Sequence, residues 1–254
     1  MSRREATERE RRRRGRRSGP ETPWLPFPFS MTWRDGAFFH WPVDPDRLRP
    51  HVPAPLDLET RDGRAWLSVV PFVLARTGLR GSPPAARLTF PEVNLRTYVT
   101  CGGLSGLYFF SIDLDGPLLA TAARYATGVP CFHARQRVAR VDDRIAFASA
   151  RREGDRPAAF EAVYRPRGAA SRADHDSLAG WLVERRRTFV PRGGRVYVAE
   201  ISHDPWPLKR ADATIEANDL FAAADLPTPS GDPRVSYCDR LEITGSVLRR
   251  FDPW

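Results

Sequence analysis

The residues best suited to chemistry lie in one short segment, Phe90-Pro91-Glu92-Val93-Asn94-Leu95-Arg96-Thr97-Tyr98-Val99. Its period-two alternation predicts a strand with Glu92, Asn94, Arg96 and Tyr98 on one face and Val93, Leu95, Thr97 and Val99 on the other. A carboxylate, an amide, a guanidinium and a phenol in one row can hold a small organic anion if the row lines a cavity. If the row faces outward it meets only water, and alternation alone fits both cases. A second row, Cys131, His133, Arg135 and Arg137, opposes Phe132, Ala134 and Val138. Arg96 and Arg135 are therefore the candidate anion partners, with Glu92 as a polar contact. Cys131 and His133 are residue types that carry thiol or acid-base catalysis, but two positions along a strand separate their Cα atoms by roughly 6.5 Å. The competing reading is a buried inert cysteine beside a hydrogen-bonded histidine.

His40-Trp41-Pro42-Val43 and His203-Asp204-Pro205-Trp206-Pro207-Leu208 each set a histidine before an aromatic and a proline. Structural roles suffice for both, since proline fixes the backbone, tryptophan covers the core and histidine can bond a free carbonyl; a ligand-binding role is the alternative. No Gly-rich phosphate loop, nucleophile elbow or His-Glu-x-x-His helix occurs, so no cofactor is expected. Five scattered histidines and three cysteines without a Cys-x-x-Cys pair offer no metal-ligand spacing.

The elements that must position these residues are mostly short strands. Met31 to Trp41 reads as extended, and Asp44-Pro45 opens a short helix that Pro50 and Pro53 stop. Residues 56–60 and 65–74 suggest a hairpin around Asp62-Gly63, and 107–114 should return beside 93–99. Pro117 opens a helix over 118–125 that ends at Gly128. Residues 132–139 and 144–150 form a further hairpin, 158–164 adds a strand, and Asp174 caps a helix through Trp181 and Glu184. Strands follow at 195–201 and 211–217, with a last pair around Asp239-Arg240. The fold class is thus α+β, mainly antiparallel β, a sheet curled into a barrel or cone with a few short helices; parallel crossover units are not expected.

The chain of 254 residues carries a formal charge of +9, but residues 1–20 hold nine arginines against three glutamates, so +6 of it lies there. Residues 1–24 read as a disordered Arg-rich tail and 25–254 as a single domain. Nucleic-acid association is expected only through that tail, because no folded segment concentrates basic residues. No window approaches the ~20 apolar residues needed to cross a bilayer, so no membrane role is expected and the cytoplasm is the default compartment.

The segments His40 to Val43, Asp62-Gly63-Arg64-Ala65-Trp66, Val70-Pro71-Phe72, Phe90 to Val99 and His203 to Leu208, taken in this order, resemble the uncharacterised bacterial YqjF-like family. The resemblance runs from about residue 31 to the C-terminus. That family is similar to acetoacetate decarboxylase, which implies a cone-shaped antiparallel barrel with an internal cavity. Such decarboxylases carry Gly-Arg-Glu-x-x-Gly-x-Pro-Lys, and Arg124, Gly128 and Pro130 match it, whereas Cys131 occupies the lysine position. A thiol cannot form the iminium that decarboxylation of a ketoacid uses. The one lysine of the chain, Lys209, would have to reach the cavity from an unrelated element. The resemblance also implies an inward-facing Glu92. Three functions stand as expectations: a small organic ligand, such as an acid, held in a barrel cavity without lysine chemistry; an enzyme using Cys131, His133 or Glu92 in acid-base or thiol chemistry; or nucleic-acid association through the tail.

Overall fold

The computed structural model describes residues 27–252, so the residues expected to form the Arg-rich tail lie outside the described part. β1 (Phe29–Val43) leads into the short helix α1 (Pro45–Leu48), whose cap is the Asp44 side chain accepting from the Asp46 N–H. β2 (Asp57–Leu58), β3 (Ala65–Leu79), β4 (Leu88–Cys101) and β5 (Leu104–Asp115) follow. Then come α2 (Pro117–Thr127), β6 (Cys131–Val141), β7 (Arg144–Arg151) and β8 (Ala159–Arg172). After them the chain forms α3 (Leu178–Val183), β9 (Arg187–Arg192), β10 (Arg195–His203) and β11 (Pro207–Asn218). α4 (Leu220–Ala223), β12 (Arg234–Gly245) and β13 (Arg249–Phe251) complete it.

All thirteen strands belong to one sheet, and the sheet branches. β5, β6, β7, β8, β11, β12, β1, β3 and β4 close a circuit of nine strands. β5, β9, β10, β12, β1, β3 and β4 close a second circuit of seven. The two share the wall β12-β1-β3-β4-β5. The branch points are visible in the registers: β12 pairs with β11 at Ser236 and Tyr237 and with β10 from Ile243 to Gly245. β5 runs parallel to β9 at Leu107 and to β6 from Ile112 to Asp115.

A shared wall is buried on both faces, and the sequence accommodates this. Phe39, Trp41, Leu67, Val69, Val93 and Leu95 join Phe147, Phe160 and Tyr164 in the core of the nine-strand circuit. The alternate positions, Phe38, Trp66, Val70, Phe72 and Tyr98, pack with Trp206 and Leu208 in the seven-strand circuit, which Leu182 and Val183 of α3 close over. No helix among the described residues is long and apolar enough to cross a membrane.

Four local expectations need correction. β5, α2 and β6 form a parallel crossover, because α2 returns the chain so that Ile112 sits beside Cys131. Residues 56–60 do not pair as a hairpin with β3: only an isolated Arg61–Arg64 bridge forms, and β2 instead extends the edge of β4, which β3 leaves open near Val99 and Thr100. Asp239 and Arg240 are not a turn but the midpoint of a continuous β12, where the strand changes partner. The cap of α3 is Ser177, accepting from the Gly180 N–H, rather than Asp174.

Candidate functional site

β4 places Glu92, Asn94, Arg96 and Tyr98 in the interior, all at most 8% exposed, on the face opposite Val93 and Leu95. The Asn94 amide donates to Glu92 Oε1 at 3.1 Å. The Arg96 guanidinium lies 5.7 Å from the Phe38 ring centroid. It makes no ion pair with any described carboxylate, and its Nε, like Asn94 Oδ1, is buried without a partner.

Two neighbouring strands complete the row. Register sets Ser68 of β3 beside Arg96 and His40 of β1 beside Ser68. The Ser68 hydroxyl lies 2.7 Å from both His40 Nδ1 and the Tyr98 hydroxyl, and those two are 3.2 Å apart. His40 Nε2 has no partner. On the far side of Tyr98, the Trp181 ring packs at a tilt of 34° with 4.8 Å between centroids, and the Arg185 guanidinium lies 4.3 Å from the Trp181 ring. Arg185 is anchored by Glu59 at 2.8 Å, so this side of the row is plugged by a structural ion pair.

The low polarity of this interior governs its electrostatics. Burial raises Glu92 from 4.5 to about 7, although the Asn94 amide and the Arg96 charge pull the other way. Burial, with Arg96 nearby, lowers His40 from 6.5 to about 3, so the imidazole is neutral. Burial also lowers Arg96 and raises Tyr98. The row therefore holds one charged guanidinium that lacks a paired anion and one carboxyl able to exchange a proton near neutrality.

The second predicted row separates. Cys131, at the start of β6, is 2% exposed, and burial and the Glu92 carboxylate push its thiol up to about 12. His133 is half-buried, and its Nδ1 accepts from the Gly116 N–H at 3.3 Å rather than meeting Cys131. Arg135 and Arg137 are exposed, while Ala134 and Gln136 turn inward. Arg135 thus stands on the outer surface, apart from the buried Arg96. The motif before Cys131 has a structural explanation. Gly128 ends α2 with φ 70°, and Arg124 turns back to donate from Nε to the Cys131 carbonyl at 2.7 Å while pairing with Glu153.

His40, Ser68 and Arg185 were not singled out as one group by the sequence, because they come from β1, β3 and the segment after α3. His203 does what its type suggested, donating from Nδ1 to the Asp204 carbonyl at 2.7 Å.

Solved structures share this architecture. The enduracididine biosynthesis enzyme MppR complexed with pyruvate superimposes with a TM-score of 0.61 at 16% identity, covering 92% of this chain and 94% of that one. An acetoacetate decarboxylase-like enzyme from Sphingomonas wittichii RW1 gives 0.60 at 17% identity, covering 92% and 100%. The acetoacetate decarboxylase of Legionella pneumophila gives 0.60 at 16% identity, covering 92% and 94%. The fold is acetoacetate-decarboxylase-like. In sequence, residues 30–242 match the family model DUF2071, described as "Uncharacterized conserved protein". The chain is also 40% identical over 236 residues to "Uncharacterized protein YqjF" of Bacillus subtilis strain 168, covering 92% of this chain and 96% of that protein. The chain belongs to this YqjF-like family.

Proposed function

We propose that the seven-strand circuit binds a small organic anion, with Arg96 as its charge partner and Asn94 and Glu92 as polar contacts, and without an iminium-forming lysine. The observation that carries this reading is Arg96, 7% exposed and without a described carboxylate within ion-pair distance. A buried charge with no partner is expensive, and a bound carboxylate would remove that cost. The acetoacetate-decarboxylase-like fold supports the reading, since one structural neighbour is described as complexed with pyruvate. Cys131 stands where the resemblance puts the lysine, which argues against chemistry that condenses an amine with a ketone.

The test is calorimetric titration of the protein with pyruvate and a panel of small carboxylic acids, compared with Arg96→Met. At least one acid should bind, and Arg96→Met should weaken it about tenfold or more, the loss of a charge-assisted hydrogen bond being worth ~1.5–3 kcal/mol. The unliganded variant should also unfold at higher denaturant concentration, because methionine removes an unpaired buried charge. Acid binding that Arg96→Met leaves unchanged overturns the proposal.

A second reading, acid-base catalysis by Glu92 on the bound anion, is favoured by its elevation to about 7, near where a general base works best. The thiol version has less support, because a buried thiol held at about 12 is not a nucleophile at neutral pH. Iodoacetamide at neutral pH should leave Cys131 of the native protein unmodified and alkylate it once the protein is unfolded, as peptide mass spectrometry will read. Nucleic-acid association through residues 1–20 would show steep salt dependence that vanishes when they are deleted.

A further inference from the structure

The seam between β11 and β12 is held by only two residue pairs, Lys209–Tyr237 and Arg210–Ser236. On its other side, the pairing of β11 with β8 slips between Leu208–Ser171 and Arg210–Arg167. This irregularity leaves a cleft of about 400 Å³ between the seam and α3. Consecutive residues Leu208, Lys209 and Arg210 all line it, which a regular strand would not permit.

The lining has two characters. Leu182 of α3 and Leu208 give it an apolar wall, and both are nearly fully buried. Lys209, Arg210 and Arg234 bring three cations to it, and none pairs with a described carboxylate. His40 also lines the cleft, 3% exposed, with Nδ1 held by Ser68 and Nε2 unpartnered. An apolar wall, three cations in the lining and a buried ring nitrogen without a partner match a molecule with an anionic head and a hydrocarbon or aromatic body.

We propose that this cleft is a second binding site, for an amphipathic monocarboxylate whose head group meets Lys209 and Arg234 and whose apolar body lies against Leu182 and Leu208. The site has charged residues different from those around Arg96, and the two adjoin at His40, which touches the cleft on one side and the Ser68–Tyr98 pair on the other, and across Leu182 and Leu208, which pack in the same core as Tyr98.

Lys209 is the only lysine in the chain, so acetylation of full-length protein by a succinimidyl ester reports on it directly, with the N-terminal amine as internal reference. Phenylbutyrate at about ten times its dissociation constant should slow Lys209 acetylation about tenfold without slowing the reference, since roughly nine-tenths of the sites are then occupied. Phenylbutyramide, which has the same body without the charge, and inorganic phosphate, which has charge without a body, should not protect. Arg234→Gln, a substitution at an exposed strand end, should weaken the phenylbutyrate protection about tenfold while the thermal midpoint stays unchanged. Arg96→Met should leave protection intact, which separates this site from the interior one. No protection by phenylbutyrate, equal protection by the amide or by phosphate, or protection that survives Arg234→Gln but disappears in Arg96→Met overturns the proposal.

Discussion

At the residue scale, Glu92 makes stability depend on pH with a definite sign. Its folded value, about 7, exceeds its ordinary 4.5, so the native state holds the proton over a range where the unfolded chain has lost it. Stability from this group is therefore greatest at acid pH and declines as pH rises from 4.5 to about 7, by up to ~3 kcal/mol at 1.36 kcal/mol per unit. His40 acts in the opposite sense: its depression to about 3 costs stability as pH falls below 6.5. Glu92→Gln retains the His40 contribution, so the stability difference between variant and wild type isolates the carboxyl. Denaturant titrations should show that difference growing in favour of the variant between pH 4.5 and 7 and then levelling off. A difference independent of pH would place Glu92 in water. The row itself was legible from its spacing, but its direction was not. The rule that polar residues face out presumes one buried face, and β4 belongs to a wall with two. Arg135 sits on β6, which belongs to one circuit only, so there the rule holds and the arginine points out.

At the element scale, β1 shows how the wall is bent to bury both faces. Its pairing with β3 slips between Arg34 and Phe39, Asp35 adopts φ 51°, and the Trp33 indole folds over Gly36. Trp33 stacks on Phe72 at 3.9 Å and donates from Nε1 to the Cys238 carbonyl at 3.3 Å. A Cβ at position 36 would lie 2.1 Å from the indole, so Gly36→Ala must displace the ring from both partners. A loss of about 3 kcal/mol is expected, at the upper end for overpacking, with a fall in near-ultraviolet dichroism from the tryptophans. Retained stability would mean that the bend is not held by this contact. Most of the longer strands and α2 were readable from alternation, proline and glycine, whereas β9 and β13 were not expected. The β5–α2–β6 crossover was not, because a helix of eleven residues between two strands resembles any other connection until the parallel register is seen. The continuity of β12 was hidden by Asp239-Arg240, residues typical of turns that here stay extended as the strand changes neighbours.

At the scale of the whole molecule, the two circuits depend on the same five strands. Removing residues 234–254 deletes β12, which both circuits need, so the truncated chain should lack a cooperative unfolding transition in denaturant instead of losing one barrel and keeping the other. A truncated chain that still melts in one sharp step would show that the nine-strand core closes without it. The curled, mainly antiparallel architecture was accessible from the count of short strands and from the resemblance. The branching was not, since nothing local marks a strand that pairs with different neighbours at its two ends.

The pairing of β1 with β12 joins Phe29 to Gly245, so this ladder cannot form until β2 to β11 have all been synthesised. Until then β1 presents an unsatisfied edge, rich in aromatic residues, to its surroundings or to any chaperone that shields it. Neither circuit can close before β12 has been made, and slow elongation, which helps proteins assembled from local pieces, prolongs the interval in which this edge is exposed to aggregation.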